Sequence, residues 1–201
     1  MKINIRDLNA AYLFCRIGYG ELYNGTDKRL YYGGGYNKIS RARGGEECNF
    51  LDIDGMLYGY VTTPTDTINL RRIDLSSDVT EVKNVAVVFV AKKHDKITKS
   101  SQVIVGWYKQ ATVFMYYKDR PKVAGINTTI YCMKCAANMG VLIPGNKRNH
   151  DIPAGLNAIG QSNIFYQYDA NYRIREYEWM MKTIKYVNTY AGANLLNTSL
   201  K

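Results

Sequence analysis

Residues 103–122 read VIVGWYKQATVFMYYKDRPK, and the way this stretch divides decides the fold. Two runs rich in β-branched and aromatic side chains, 102–108 (QVIVGWY) and 111–117 (ATVFMYY), are separated by Lys109 and Gln110 and closed off by charged residues and Pro121. Such runs suit a pleated, half-buried surface, so two strands joined as a hairpin are expected. Working outward, VAVVFVA at 85–91 is apolar at every position, the mark of a central strand covered on both faces. AYLFCRIG at 11–18, LYGYVTT at 57–63 and TTIYCMK at 128–134 complete six strands separated by turn-rich sequence. This spacing predicts a barrel or strongly curved sheet.

Something must cover the second face of 85–91. Residues 171–190, NYRIREYEWMMKTIKYVNTY, place Ile174, Tyr177, Met181, Ile184 and Val187 at helical spacing, with Arg173, Arg175, Lys182 and Lys185 mostly elsewhere around the wheel. Asp169 or Asn171 is the expected cap. Weaker helical signals lie near 38–43 and 133–139, and the last residues, GANLLNTSLK, are expected to fray. With no linker, low-complexity tract or internal repeat, the reading is one α+β domain over 1–201, its core in 11–190. The expected form is a strongly curved mixed β-barrel with a few helices packed around it and a helix at the C-terminus.

The 201 residues suffice for a core without disulfide staples. No run reaches the roughly 18 apolar residues that spanning a bilayer by a helix requires, and the charged start MKINIRDLNA does not read as a secretory leader. A cytoplasmic chain with no membrane partner is expected. The 27 Lys+Arg against 17 Asp+Glu are unevenly placed: residues 1–80 hold 10 of each sign, so the whole excess of +10 lies in 81–201. A polyanionic partner fits that field, because neutralised phosphates release condensed counterions, although an inert basic surface has the same composition. The 18 tyrosines fit both a strand-rich domain and a surface that stacks on flat ligands.

Catalytic constellations are thin. Cys132 and Cys135 have zinc-knuckle spacing, but no second Cys or His pair accompanies them, and His94 and His150 stand apart. With Cys15 and Cys48 they read as free thiols of a reducing compartment, and neither metal nor other cofactor is expected. Asp78 with Glu81-Val82-Lys83 resembles the acidic-x-Lys core of one nuclease class, yet the same residues also suit a strand end. Asp52 and Asp54 offer carboxylates for a cation, and DIDG equally reads as a turn. A small metal-dependent nuclease built on these four residues is the enzymatic alternative. The glycines of YYGGGY do not follow an obvious strand and lead into a helix as a dinucleotide loop would, so a phosphate cradle is not indicated.

Binding has the better support. Trp107 and Tyr108 are followed by Lys109, then by a second aromatic run ending in Lys118, Arg120 and Lys122. Aromatics flanked by cations provide what a stacked base and its phosphates need. An indole packed in the core above an exposed, charged hairpin would give the same pattern.

The succession GGGYNK (33–38), EECNFLDIDGMLYGYV (46–61), INLRRID (68–74), VVFVA (87–91), VIVGWYKQATVF (103–114) and LIPGNKRNHDIPAGLNAIGQSNIFY (142–166) resembles the N-terminal domain of bacterial HNH-type endonucleases and related restriction proteins. It looks like a member of the EVE/YTH-like group of the PUA superfamily, curved β-barrels whose aromatic pocket takes a flipped, modified base. The resemblance runs from about residue 17 to 166. It implies a module that recognises a modified base in double-stranded DNA, within restriction or phage defence. Trp107 would stack on the base, with Tyr108 or Phe165 opposite. Gln161, Ser162 and Asn163 would read the base edge, with Asn49 and Glu47 as further candidates. Lys109, Lys118, Arg120, Lys122, Lys147 and Arg148 would hold phosphates. Relatives usually have Trp where this chain has Phe165, and many continue into a nuclease. The cutting activity would then belong to a separate subunit, or the module would act alone. An RNA-binding module remains a further alternative, since stacking pockets also serve single-stranded RNA.

Overall fold

The computed structural model describes residues 10–27, 30, 45–76, 80–93, 102–127, 129–155, 157–160 and 162–198. The glycine run 33–35, the weak helical signal at 38–43, Asp78, His94 and Gln161 lie outside them. Among the described residues nine strands form one mixed sheet: β1 (Ala11–Ile17), β2 (Asp52–Ile53), β3 (Met56–Gly59), β4 (Glu81–Lys92), β5 (Gln102–Asp119), β6 (Ile130–Ala136), β7 (Gly140–Leu142), β8 (Asp151–Ile152) and β9 (Ile164–Tyr166). The order is β2-β3-β6-β5-β4-β1-β9, with β7 and β8 pairing additionally with β5. The path has two ends, β2 and β9, so the sheet is not closed. The architecture is α+β, and α1 (Glu178–Thr189) is the one α-helix among the described residues.

The apolar run 85–91 lies in an interior strand of the sheet, parallel to β1 on one side and antiparallel to β5 on the other. Alternation sends Val85, Val87, Phe89 and Ala91 into one core cluster and Ala86, Val88 and Val90 into another. The first cluster gathers side chains from β1, β3, β4, β5, β6, β7 and β9. The second lies between the sheet and α1, where Met180, Ile184 and Val187 are buried. Each such side chain contributes about 1.5–3 kcal/mol by leaving water.

The expected hairpin at 109–110 is instead one unbroken strand of 18 residues. Gln110 has φ +52°, and Asn84 on the facing strand has φ +57°. Both precede the Val85–Ala111 pair, and the register shifts on either side of it. These irregularities act as β-bulges, which bend a ribbon that would otherwise run straight for roughly 60 Å. A further shift between Phe89 and Val90 lies beside Val105. It puts Val105 and Tyr108 in the first cluster and Ile104 and Trp107 in the second.

The helix is shorter than its sequence period suggests. Asp169 does not cap it: its Oδ1 accepts the backbone N–H groups of Asn171 and Arg173, closing a turn, and the helix starts after Tyr177 with no side-chain cap. Of the expected stripe, Ile184 and Val187 are buried, while Met180 takes the place given to Met181. Residues 133–139 are the end of β6 and a short 3-10 turn. Within the tail expected to fray, residues 195–198 form a 3-10 turn and Asn194 bonds both Leu142 N and Gly140 O of β7, while 199–201 lie outside the described residues. Among the described residues no helix is long and apolar enough to cross a membrane.

Candidate nucleic-acid interface

The aromatic trio expected to sandwich a base is dispersed. Trp107 and Tyr108 are consecutive on β5 and belong to opposite clusters, at 1% and 0% exposure. Trp107 pairs with Val88, Val88 with Phe14, and Phe14 with Phe165, so indole and phenyl share one transverse row. They are three strand spacings apart, about 14 Å, twice the gap a sandwiched base occupies. The helix side fills that row: Tyr190 and Tyr186 lie edge-on to the indole at 5.1 and 6.1 Å. Trp179 packs against Phe14 and Phe165 at 5.1 and 5.2 Å. Stacking by Trp107, Tyr108 and Phe165 is therefore corrected to core packing. The Tyr108 hydroxyl donates to Asn49 O inside the first cluster, and burial pushes its pKa well above the ordinary phenol value.

The polar candidates are brought close to one another, but as structural clamps. Asn49 is fully buried; its Nδ2 donates to Tyr60 O at 2.9 Å and its Oδ1 accepts from Tyr60 N at 2.8 Å, using the whole amide on one backbone unit. Two residues on, Thr62 O accepts Asn163 Nδ2 at 3.1 Å, so both motifs bracket the 60–62 segment. Asn163 Oδ1 accepts Arg16 Nη2 at 3.1 Å. Burial lowers the Arg16 pKa, and the carboxylate of Glu46, 3% exposed, opposes that shift. Ser162 turns its hydroxyl onto Ile164, and Glu47 is buried at 4% exposure. Base-edge readout by Asn49 and Glu47 is corrected accordingly. Ser162 is exposed and Asn163 half-buried, and the Tyr60 and Tyr117 rings lie 5.2 Å apart. Arg16 and Glu46 carry no sequence signal, since the first lies within an apolar strand and the second in a turn.

The six cations divide by exposure. Lys118, Lys122 and Lys147 are exposed and Lys109 is half-buried. Arg148 and Arg120, at 1% and 4% exposure, point inward and cannot meet a phosphate. Arg148 donates to the carbonyls of Ile143, Gly20 and Glu21 and stacks over Tyr19 and Tyr23, fastening the 18–23 loop to the sheet. Arg120 donates to Tyr58 O. Its pKa is lowered chiefly by burial.

Farther along β5 and across to β6 lies a set of rings flanked by cations, of which Phe114 and Tyr131 are themselves buried, at 6% and 8% exposure. Lys118 and Lys134 each hold an ammonium 5.7 Å from the centroid of Phe114. Phe114 meets Tyr131 edge-on at 5.7 Å, and Tyr131 meets Tyr58 at 4.9 Å. Lys134 stands opposite both Thr112 of β5 and Tyr58 of β3. Tyr58 is half-buried, and Tyr116, two residues from both Phe114 and Lys118, is 53% exposed. The alternation Thr112, Phe114, Tyr116, Lys118 was the available signal for this face.

Of the carboxylates proposed for a nuclease, Asp52, Asp54 and Glu81 form no metal-binding group among the described residues, and Asp78 lies outside them. Asp52 Oδ1 accepts Gly55 N in the β2–β3 turn, where Asp54 and Gly55 both take positive φ. Glu81 pairs with Lys83 at 3.4 Å. Among the described residues no three His, Cys, Asp or Glu side chains are grouped to hold a metal. All four cysteines are buried and none forms a disulfide. Comparison with family models, curated proteins and solved structures found no match.

Proposed function

We propose that this chain is a non-catalytic DNA-binding module whose ligand carries a modified base, working in restriction or phage defence with cleavage supplied by a separate nuclease subunit. The observation that supports binding is the face on which Lys118 and Lys134 flank Phe114, with Tyr58 and Tyr131 beside it. The two ammonium groups offer phosphate neutralisation; Phe114 and Tyr131 are buried, so ring contact would fall to the half-buried Tyr58 and the exposed Tyr116. The modified base, the barrel-like arrangement of the PUA group and a cytoplasmic setting come from the resemblance and the sequence. Because Trp107, Tyr108 and Phe165 belong to the core, base reading would fall to other side chains, with Ser162 and Asn163 retained from the resemblance.

The test is a titration of two duplexes identical except for 5-methylcytosine or 5-hydroxymethylcytosine, at several matched salt concentrations. Tighter binding to one modified duplex is expected. Equal affinities would remove base reading, and a log–log salt slope near zero would remove nucleic acid altogether. One feature favours a single-stranded ligand as second reading: the exposed Tyr116 ring lies on the sheet, where unpaired bases of RNA or DNA stack in other sheet-faced binders. A single-stranded competitor that displaces the duplex would favour it.

A further inference from the structure

Four arginines outside the surface just described come together from two distant segments. Arg71 and Arg72 lie on the 3-10 turn Leu70–Arg72, and Arg173 and Arg175 on the loop that leads into α1. The segments are tied reciprocally: Tyr168 N donates to Arg72 O, and Arg72 Nε donates to Tyr168 O, both at 3.1 Å. Three of the guanidinium groups lie over rings. Arg72 is 4.3 Å from the Tyr166 centroid, Arg175 is 4.3 Å from Phe165, and Arg71 is 5.4 Å from Tyr172.

Stacking fixes a guanidinium plane while leaving its N–H edges available for bonds within that plane. Arg175 gives Nη1 to Tyr166 O at 3.4 Å, and its buried Nε has no partner among the described residues. Arg72 and Arg175 are near enough to repel, and that repulsion, after burial, lowers the Arg72 pKa. One carboxylate already offsets part of this charge: Asp169 acts on Arg72 against those two effects, and its own pKa is lowered by its backbone hydrogen bonds from Arg173 and Asn171 together with the charges of Arg173 and Arg175, while Asp74 Oδ1 bonds Ser76. Glu176 is exposed at the end of the loop. Two like charges held together by stacking, with an unsatisfied donor beside them, form an arrangement that an anion relieves.

We propose that Arg71, Arg72, Arg173 and Arg175 form a binding site for a phosphate group, occupied by a backbone phosphate of the DNA ligand. The identity of that occupant rests on the DNA-binding reading, whereas the anion site does not.

The test uses the full chain and the double variant Arg71→Ala/Arg173→Ala, both positions being exposed. Duplex titrations against salt should give a slope shallower by about 1 to 2 in the variant, with equal weakening for modified and unmodified duplexes. In parallel, inorganic pyrophosphate should raise the melting temperature of the parent protein and not of the variant. If pyrophosphate stabilises only the parent while neither form binds DNA, the site stands and the DNA reading fails. Unchanged salt slope together with equal pyrophosphate shifts overturns the site. Arg175→Lys, which keeps the charge and loses the fork, serves as a second variant and should reduce the pyrophosphate shift.

Discussion

Trp107 and Phe165 stand in one transverse row of the sheet, linked through Val88 and Phe14, with side chains of the C-terminal helix region over both. The indole is thus a structural member of the helix–sheet seam. Its Nε1 is buried without a partner among the described residues, so the ring contributes through area and shape. Trp107→Ala should lower stability by about 3–5 kcal/mol, and Trp107→Phe by clearly less, measured by urea unfolding. A stably folded Trp107→Ala protein with an unchanged midpoint and abolished ligand binding would contradict the packing role.

Asn49 clamps both backbone groups of Tyr60 from a fully buried position. Asn49→Ala leaves a buried N–H and C=O unpaired, which costs about 2–4 kcal/mol in total. Asn49→Asp keeps the acceptor and loses the donor, so it should also destabilise. Chemical denaturation of the three forms checks this. A neutral Asn49→Ala would mean that the clamp is dispensable.

These two residues also show where sequence reasoning reached and where it stopped. The apolar run 85–91 reads as a central strand from its pattern alone, whereas its parallel pairing with 11–17 is set by register and has no sequence signal. Lys109-Gln110 was ambiguous, because a polar pair between two apolar runs is equally the mark of a turn and of a bulge within one strand. Choosing the turn hid the 18-residue β5 and the register shift beside Val105 that turns Trp107 toward the helix. Arg148 was read as a surface cation because its acceptors are carbonyls at positions 20, 21 and 143, which no side-chain pattern encodes. The Lys118–Phe114–Lys134 face was half legible: alternation along one strand is visible, but the partner from β6 depends on register.

Burial pushes the thiol pKa values of Cys132 and Cys135 up to about 12, and that of Cys15 well above its usual range. These thiols stay protonated in the fold and ionise first in the unfolded chain. Their contribution to stability is therefore complete below the unfolded thiol pKa of about 8.5 and declines as pH rises above it. Native protein at pH 8 should resist a thiol-specific reagent until denaturant is added. Rapid labelling without denaturant would show that the first core cluster opens readily.

His150 lies against Tyr186, ring centroids 4.4 Å apart, with Nε2 3.2 Å from Thr183 Oγ1 of α1. Burial lowers its pKa below the ordinary imidazole value, only partly opposed by Asp151. The unfolded chain therefore takes up the proton first as pH falls. Stability from this site is present above about pH 6.5 and lost below it. The urea midpoint should drop between pH 7 and 5, and a His150→Asn protein should show a smaller drop. Parallel profiles would remove His150 from the acid response.

Duplex affinity measured against salt, for the parent chain and for Lys118→Ala/Lys134→Ala, tests the proposed DNA-binding face most directly. The account predicts a clear negative log–log slope for the parent and one shallower by about 1 to 2 in the variant, with the urea midpoint little changed. Identical slopes and affinities in the two proteins would contradict it.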